Sequence, residues 1–193
     1  MTSPGALKIV EAAIPLFAER GFDGVSITEI EAEAGGTRAA IYQQFGSKEK
    51  LVEEALKEAV SRLLDPGAFV MVIFENRKRL PLPELLRSAM EKWYETMPVE
   101  TARLLMFAGF SKNKKWRERA LTPVERIMEL LAVGMEREIR KKGSFRPVVA
   151  ARALVLALLQ YKVLFSGGKP GKEEAGEVRA IIEQWLEGLA AVT

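Results

Sequence analysis

The feature that most constrains the fold is a short segment, residues 38–45, which lies between two glycine breaks at 35–37 and 46–47. Isolated helices of fewer than about 12 residues are marginal in water, so packing must hold this segment in place. Ile41 and Phe45 lie four residues apart and would form its one buried face. The other face is then available for another purpose.

A helix of this length behind a glycine-containing turn is typical of the helix-turn-helix arrangement, whose second helix enters the major groove of DNA. Ser26 and Glu29 fit a capping box at the start of the preceding helix. Ser47 begins a further helix that extends to about Leu64. Turn and periodicity alone favour equally a short helix in an ordinary all-helical domain.

The remaining sequence is also helical by pattern, which predicts an all-α fold. A first helix is predicted over 4–20, with Pro4 in its first turn and Gly21 at its end. The apolar run at 68–74 is ambiguous by periodicity, and we predict a helix because no second strand exists to pair with it. Apolar stripes of helical period follow within 82–97, 102–110 and 124–135. The segment 148–166 is apolar nearly all round, and a final helix is predicted over about 173–191.

The amino-acid composition excludes several kinds of chemical site. The 193 residues include neither cysteine nor histidine, which excludes disulfides, thiolate metal sites and the usual general base. No acid–base pair is marked by spacing, so we expect no enzyme, no metal site and no cofactor. The amino-terminal residues lack a signal-peptide pattern, and the longest apolar run, 153–159, is far shorter than a membrane span. We therefore expect a cytoplasmic protein without a membrane segment.

The charge distribution argues against a basic tail as the DNA ligand. The formal net charge is +3, but residues 1–50 carry five basic and seven acidic side chains. Any DNA contact must therefore come from a few well-placed cations.

The stretch from residue 6 to residue 53 has a more specific pattern. Paired alanines precede Leu-Phe, Gly-Phe follows, Ser-Ile precedes the second helix, Ala-Gly forms the turn, Ile-Tyr and a later Phe lie in the short helix, and Ser-Lys-Glu opens the next one. This stretch resembles the DNA-binding domain of the tetracycline-repressor (TetR) family. Glu31, Gly36 and Ala39 depart from the family pattern, which usually has a small residue, an apolar residue and often a glycine at these positions.

The resemblance implies two domains. Residues 1–46 would form a three-helix helix-turn-helix DNA-binding domain. Residues 47–193 would form a larger helical domain for effector binding and dimerisation, and the helix at 47–64 would connect the two.

Four DNA contacts follow from positions on these helices. Thr28 and Thr37 lie at or near helix N-termini, where hydroxyls and free amides can meet phosphate, although simple capping is the alternative. Arg38 and Gln43 face outward and could read guanine and adenine, respectively, by bidentate hydrogen bonds. The alternative for both is a solvated surface position.

The resemblance adds three further positions to the predicted DNA-binding surface. Tyr42 and Lys48 match family positions that contact the DNA backbone. Ala39 stands at the start of the short helix, where the family often has glycine.

Methionines and aromatic residues recur at helical spacing in the C-terminal part, where they are most simply core residues. Such side chains also suit an adaptable apolar pocket, and TetR-like proteins commonly hold a ligand pocket in this region. The resemblance therefore implies a hydrophobic small-molecule effector, bound among Trp93, Met97, Met106, Phe107, Phe110, Met128 and Met135.

The helix at 148–166 and the last helix carry more apolar surface than one buried face requires. Two such helices from each chain can form a twofold-symmetric four-helix bundle. The alternative is that both helices are central in a monomer. We predict a homodimer, with an interface that includes Val155, Leu158, Leu159, Lys162, Ile181, Trp185 and Leu189.

These features together predict a ligand-responsive repressor that binds palindromic double-stranded DNA as a homodimer. One alternative is an architectural DNA-binding protein without an effector, whose C-terminal domain would have a filled core. An all-helical enzyme that uses Glu100 and Glu125 near Tyr94 is a third alternative, which nothing in the spacing favours.

Overall fold

The computed structural model describes residues 3–63, 80–138, 146–166 and 171–190. These residues form nine α-helices and no strand, which confirms the predicted all-α class. The apolar run at 68–74 lies outside the described residues. The helices are α1 Pro4–Arg20, α2 Ile27–Ala34, α3 Arg38–Phe45, α4 Lys48–Leu63, α5 Leu82–Thr96, α6 Val99–Phe110, α7 Lys114–Glu138, α8 Pro147–Phe165 and α9 Lys172–Ala190.

The first helix has the predicted bounds because of its end residues. The Ser3 hydroxyl accepts a hydrogen bond from the Ala6 backbone N–H at 3.2 Å, and Pro4 follows at the first helical position. Gly21 ends the helix with a φ of 72° and donates its N–H to the Phe17 carbonyl at 2.9 Å. Glycine adopts this positive φ without the steric cost that a Cβ would add.

Two compact units divide the chain, and their boundary differs from the predicted one at residue 46. The first unit comprises Met1–Leu64 and Glu100–Pro123, and the second comprises Asp65–Val99 and Val124–Thr193. α4 therefore belongs with the helix-turn-helix, because it packs against α1 and α3. The first part of α7 belongs there too, so this helix begins in one unit and ends in the other.

An aromatic series fixes the α6–α7 turn to the rest of the first unit. The Phe22 ring lies edge-on to the Phe17 ring, with centroids 5.6 Å apart, and edge-on to the Trp116 ring at 5.0 Å. The Phe107 ring lies against Gly21. Such edge-to-face pairs contribute about 0.5–1.5 kcal/mol each beyond the apolar area that they bury. The connection between α1 and α2 is thus held by residues 86 and 94 positions away in the sequence.

Polar pairs join α5 to α9 in the second unit. Arg87 forms a bidentate ion pair with Glu183, and Glu91 pairs with Arg179 at 2.7 Å. The two pairs are one helical turn apart on each helix, so the helices run antiparallel. The hydrogen bonding in which Arg87 donates and Glu183 accepts lowers the pKa of Glu183 and raises the pKa of Arg87.

The same helix pair carries a buried tyrosine. The Tyr94 hydroxyl donates a hydrogen bond to the Glu174 carboxylate at 2.6 Å. Burial of the ring, and then this hydrogen bond, raise the pKa of Tyr94 well above its usual value. Tyr94 therefore acts as a hydrogen-bond donor at neutral pH.

α8 lies with one face in the core of the second unit. On this face the Lys162 ammonium donates to the Tyr94 carbonyl oxygen at 3.2 Å and lies 4.4 Å from the centre of the Tyr94 ring. A buried cation is tolerated in such surroundings because an acceptor and a ring face replace part of its hydration. Of the helices that the structure describes, α8 alone is long and apolar enough to cross a membrane, by length and composition only.

Candidate nucleic-acid interface

The first turn of α2 is held by a capping box. The Ser26 hydroxyl accepts a hydrogen bond from the Glu29 N–H at 3.3 Å, and the Glu29 carboxylate accepts one from the Ser26 N–H at 2.7 Å. Arg20 adds an ion pair at 2.6 Å. The Ser26 N–H, followed by the Arg20 hydrogen bond, lowers the pKa of Glu29 from 4.5 to about 2. Thr28, in this turn, has an exposed side chain that can reach a phosphate.

The short helix α3 is anchored on one face and exposed on the other. Thr37 caps it, because its hydroxyl oxygen accepts a hydrogen bond from the Ala40 N–H at 3.2 Å. The hydroxyl hydrogen of Thr37 can still be donated to a phosphate. Ile41 and Phe45 are buried, as predicted. The exposed face carries Arg38, Ala39 and Gln43.

Two exposed side chains of α3 contact each other. The guanidinium of Arg38 lies 5.8 Å from the centre of the Tyr42 ring, one helical turn further along. Such a cation–π contact restricts the positions that a long side chain samples. The ring therefore partly orders the arginine before any DNA is bound.

The two glutamines at the end of α3 differ in their surroundings. The Ser3 hydroxyl donates a hydrogen bond to the Gln44 side-chain oxygen at 3.3 Å, which ties this residue to the start of α1. The Gln43 side chain has no hydrogen bond among the described residues. Gln43 is consequently the better placed of the two to pair with a base edge.

The start of α4 provides a third capped N-terminus beside α3. The Ser47 hydroxyl accepts a hydrogen bond from the Lys50 N–H at 3.3 Å. Lys48, the first residue of α4, is partly exposed. The backbone N–H of Glu49, and then the Ser47 hydroxyl, lower the pKa of the Glu49 carboxyl group.

Two of the departures from the family pattern, Glu31 and Gly36, lie near the turn between α2 and α3. Gly35 has a φ of 62°, which favours glycine, whereas a Cβ on Gly36 would meet nothing within 4 Å. An apolar residue could therefore stand at position 36 without strain. Glu31 is half-buried and forms no ion pair with Arg38 or any other described residue.

All seven predicted DNA contacts lie on α2, α3 and α4 or their caps, within one compact unit. Their side chains are exposed, apart from the partly exposed Lys48. Direct contact of each with DNA stays a prediction. The set comprises Thr28, Thr37, Arg38, Ala39, Tyr42, Gln43 and Lys48.

A short helix that is buried on one side, carries a cation and an amide on the other, and is flanked by two capped helix N-termini defines a helix-turn-helix DNA-binding protein. The family model "Bacterial regulatory proteins, tetR family" matches residues 9–55. The helix-turn-helix of this chain is thus similar to the DNA-binding domain of TetR-family transcriptional regulators.

Relatives extend this likeness beyond the helix-turn-helix. The transcriptional repressor AcnR of Corynebacterium glutamicum is 28% identical over 149 residues, which are 76% of this chain and 72% of that protein. The structure of PfmR from Thermus thermophilus is 24% identical, covers 93% of this chain and 97% of its own, and has a TM-score of 0.69. AibR, solved with isovaleryl coenzyme A and operator DNA, is 19% identical, with coverages of 97% and 96% and a TM-score of 0.66. The whole chain thus has the fold of these regulators.

The predicted ligand-binding residues do not lie in one unit. Phe107 and Phe110 are 43% and 82% exposed, so their placement in an interior pocket is wrong. They and Met106 belong to the first unit. The second unit contains Trp93, Met97 and Met128, which are buried, and Met135, whose side chain is not described.

The predicted dimer residues of α8 lie on the inward face of that helix. Val155, Leu158, Leu159 and Lys162 are all buried within the single chain, so they offer no surface to a second chain. This part of the prediction is wrong because a helix that is apolar on all sides gives no indication of which face turns inward. The opposite face exposes Val149, Ala153, Leu156, Gln160 and Leu164.

The predicted dimer residues of α9 have an intermediate position. Ile181 and Trp185 are half-buried, and the Trp185 indole N–H donates to the Ala150 carbonyl at 2.8 Å. The Leu189 side chain lies outside the described residues. Ile181 and Trp185 thus retain some surface for a partner chain.

Sequence reasoning missed the contacts between distant segments. The α5–α9 pairs had a signal, since Arg-x-x-x-Glu occurs both at 87–91 and at 179–183. Nothing in the sequence indicated that Trp116 packs on Phe22. The described residues include no cluster of three or more side chains that could hold a metal ion.

Proposed function

We propose that this protein is an effector-responsive transcriptional repressor that binds a palindromic operator as a homodimer and releases it when a small apolar or amphipathic molecule binds. The observation that carries the DNA-binding part is the exposed face of α3, which presents Arg38 and Gln43 while Ile41 and Phe45 lock the opposite face in the core. A helix fixed in this way can enter a major groove without unfolding its own support.

The side chains around α3 divide into two roles. Arg38 and Gln43 read base edges, because bidentate hydrogen bonding suits arginine to guanine and glutamine to adenine. Thr28, Tyr42 and Lys48 hold the DNA backbone and set the register of α3 in the groove. Thr37 joins this second group through its free hydroxyl hydrogen.

A homodimer follows from the outward face of α8. Leu156 and Leu164 are 51% and 62% exposed, and Val149 is 60% exposed. These three residues and Ala153 lie at spacings of three, four and eight residues, which place them along one side of a helix. A second copy of the chain would cover this face by twofold symmetry, with Ile181 and Trp185 at its edge.

An apolar effector is the best match to the second unit. Trp93, Met97 and Met128 give it aromatic and methionine side chains, which adapt to apolar ligands. AibR was solved with both an acyl coenzyme A and operator DNA, which supports an acyl-type effector for a chain of this fold. A regulator of this kind works in the cytoplasm and needs no enzymatic activity. The alternative is an architectural DNA-binding protein without an effector.

The first experiment selects bound fragments from random DNA with the purified protein and then measures affinity for the selected sequence. We expect a palindromic motif. Arg38→Ala should cost about 1–3 kcal/mol and relax the preference at one or two positions in each half-site, because a bidentate base contact is lost. The matched control is Arg126→Ala, which removes an exposed arginine of the second unit. An unchanged motif and affinity for Arg38→Ala would show that α3 reads DNA with another face or not at all.

The second experiment tests the effector. Operator release is measured with a series of acyl coenzyme A compounds and free fatty acids, since a ligand shifts DNA binding only if it favours one conformation. We expect at least one compound to lower operator affinity. DNA binding that is indifferent to the whole series would favour the architectural alternative.

A further inference from the structure

A strongly basic segment lies at the turn between α6 and α7. Residues 112–119 contain five cations, Lys112, Lys114, Lys115, Arg117 and Arg119, against one acid, Glu118. We call these five cations the basic turn. All are exposed except Arg117, which is partly exposed. No DNA contact was predicted here, because the segment lies 60 residues or more beyond the helix-turn-helix.

The basic turn decides the sign of the charge on the first unit. Residues 1–64 carry seven basic and ten acidic side chains, which leaves a net charge of −3. Residues 100–123 carry six basic and two acidic side chains, which gives +4. These two segments make up the first unit, whose net charge is therefore +1. A first unit with a net negative charge would repel DNA, and the cations of the basic turn remove that net repulsion.

Hydrogen bonds hold the backbone of the basic turn in place. The Asn113 side-chain oxygen accepts hydrogen bonds from the backbone N–H groups of Lys115 at 3.1 Å and Trp116 at 3.4 Å, which caps α7. The Arg117 guanidinium donates to the Ser111 carbonyl at 2.7 Å. These bonds fix the backbone that carries the lysines, so less conformational entropy is lost when the lysines bind a ligand.

The basic turn is held beside the connection that leads into α2. The Trp116 ring packs edge-on against Phe22, with centroids 5.0 Å apart, and α2 begins only five residues later at Ile27. The N-terminal turn of α2, with Thr28, belongs to the predicted phosphate-binding surface. The turn therefore lies on the flank of the helix-turn-helix and within the same compact unit.

Most of the cations form no ion pair within the described part of the chain. Lys112, Lys115 and Arg119 form no ion pair with any described residue, whereas Lys114 lies 3.5 Å from Glu118. Unpaired lysines release counterions from DNA when they meet its phosphates, which is the main source of sequence-independent affinity. Their chemistry thus fits a polyanion.

We propose that the basic turn binds backbone phosphates of the DNA that flanks each half-site. It supplies affinity and salt dependence without reading sequence, while α3 supplies the specificity. This inference rests on the proposed DNA-binding function and extends the contact surface beyond the helix-turn-helix.

The test compares two double variants of equal charge. Lys112→Gln with Lys115→Gln removes two cations of the basic turn, and Lys92→Gln with Lys172→Gln removes two exposed lysines of the second unit. Fluorescence anisotropy measures their affinity for the selected operator and for an unrelated duplex over a range of salt concentrations. Neither pair of substitutions lies on α3.

We expect the first variant to bind both duplexes roughly tenfold or more weakly near physiological salt and to select the same motif. Its slope of log K against log salt should be shallower by about 2 to 4 for a dimer, since each phosphate contact contributes about 0.9. The control should stay close to the unsubstituted protein. Equal slopes for the two variants would overturn the inference. An unchanged slope for the first variant, together with lost binding of free coenzyme A in calorimetry, would also overturn it, because these cations would then bind the coenzyme and not DNA. If the unsubstituted protein binds no DNA, the proposed function itself fails.

Discussion

The first unit closes its helix ends with neighbours in sequence, whereas the second unit joins its helices with residues far apart. Ser3, Ser26, Thr37 and Ser47 each accept a hydrogen bond from a backbone N–H three residues later. In the second unit the polar contacts of α5 with α8 and α9 connect residues separated by 68 to 96 positions.

This difference corresponds to two kinds of sequence signal: one is visible in a short window, and the other depends on the packing of the helices. A cap three residues from its donor is visible in a short window, so the helix-turn-helix can be placed residue by residue. A pair 96 residues apart is visible only when the helix packing is already known. The helix ends of the first unit are thus specified locally, whereas the polar contacts of the second unit depend on how its helices pack.

The largest expected effect comes from a substitution that disrupts the packing of the second unit. Leu158→Glu places a carboxylate at a fully buried position of α8. Burying an unpaired charge is costly, so we expect a loss of more than about 3 kcal/mol in the free energy of unfolding. Denaturant unfolding followed by circular dichroism measures it.

The matched control is Leu156→Glu, which lies two residues away on the exposed face of α8. This variant should keep its fold and lose its dimer, as measured by sedimentation at micromolar concentration. A dimeric Leu156→Glu protein would show that this face of α8 is not the interface.

A smaller effect tests the local chemistry of the first unit. Ser26→Ala removes the cap of α2 and should cost about 1 kcal/mol, while Ser26→Thr should retain most of the stability. Chemical denaturation at neutral pH measures both variants. Equal stability of Ser26→Ala and the unsubstituted protein would mean that the capping box does not stabilise this turn.

The same cap predicts a pH dependence. The folded-state pKa of Glu29 is lowered to about 2 from 4.5, so its contribution is fully present above about pH 4.5 and is lost as the pH falls toward 2. Glu29→Gln lacks this contribution at every pH. The stability difference between the two proteins should therefore shrink between pH 4.5 and pH 2, whereas a constant difference would exclude this origin of the shift.

The smallest expected effect tests the distant pairs. Arg87→Glu places a carboxylate of α5 beside the Glu183 carboxylate of α9. This change should lower the melting temperature by less than about 3 °C, because the pair is partly exposed. Exchanging the charges, Arg87→Glu with Glu183→Arg, should restore most of the loss. If the exchange restores nothing, the pair does not contribute through its charges.

Particular residues show why some features were predictable. Gly35 and Gly21 ended helices as expected, because a positive φ selects glycine whatever surrounds it. α8 was found as a helix, but its inward face was assigned wrongly because it is apolar on almost every side. Phe107 and Phe110 were assigned to a pocket from residue type and the family resemblance, and neither distinguishes a pocket wall from an exposed ring.

The contact between Phe22 and Trp116 also gives the protein an optical probe. Of the three tryptophans in the chain, Trp116 lies in the first unit, while Trp93 and Trp185 lie in the second. The Trp116 indole N–H is buried without a hydrogen-bond partner among the described residues. After Trp93→Phe and Trp185→Phe, the remaining tryptophan fluorescence comes from one indole at the junction between the basic turn and α2. Its emission can then report whether DNA, an effector or heat disturbs that junction first.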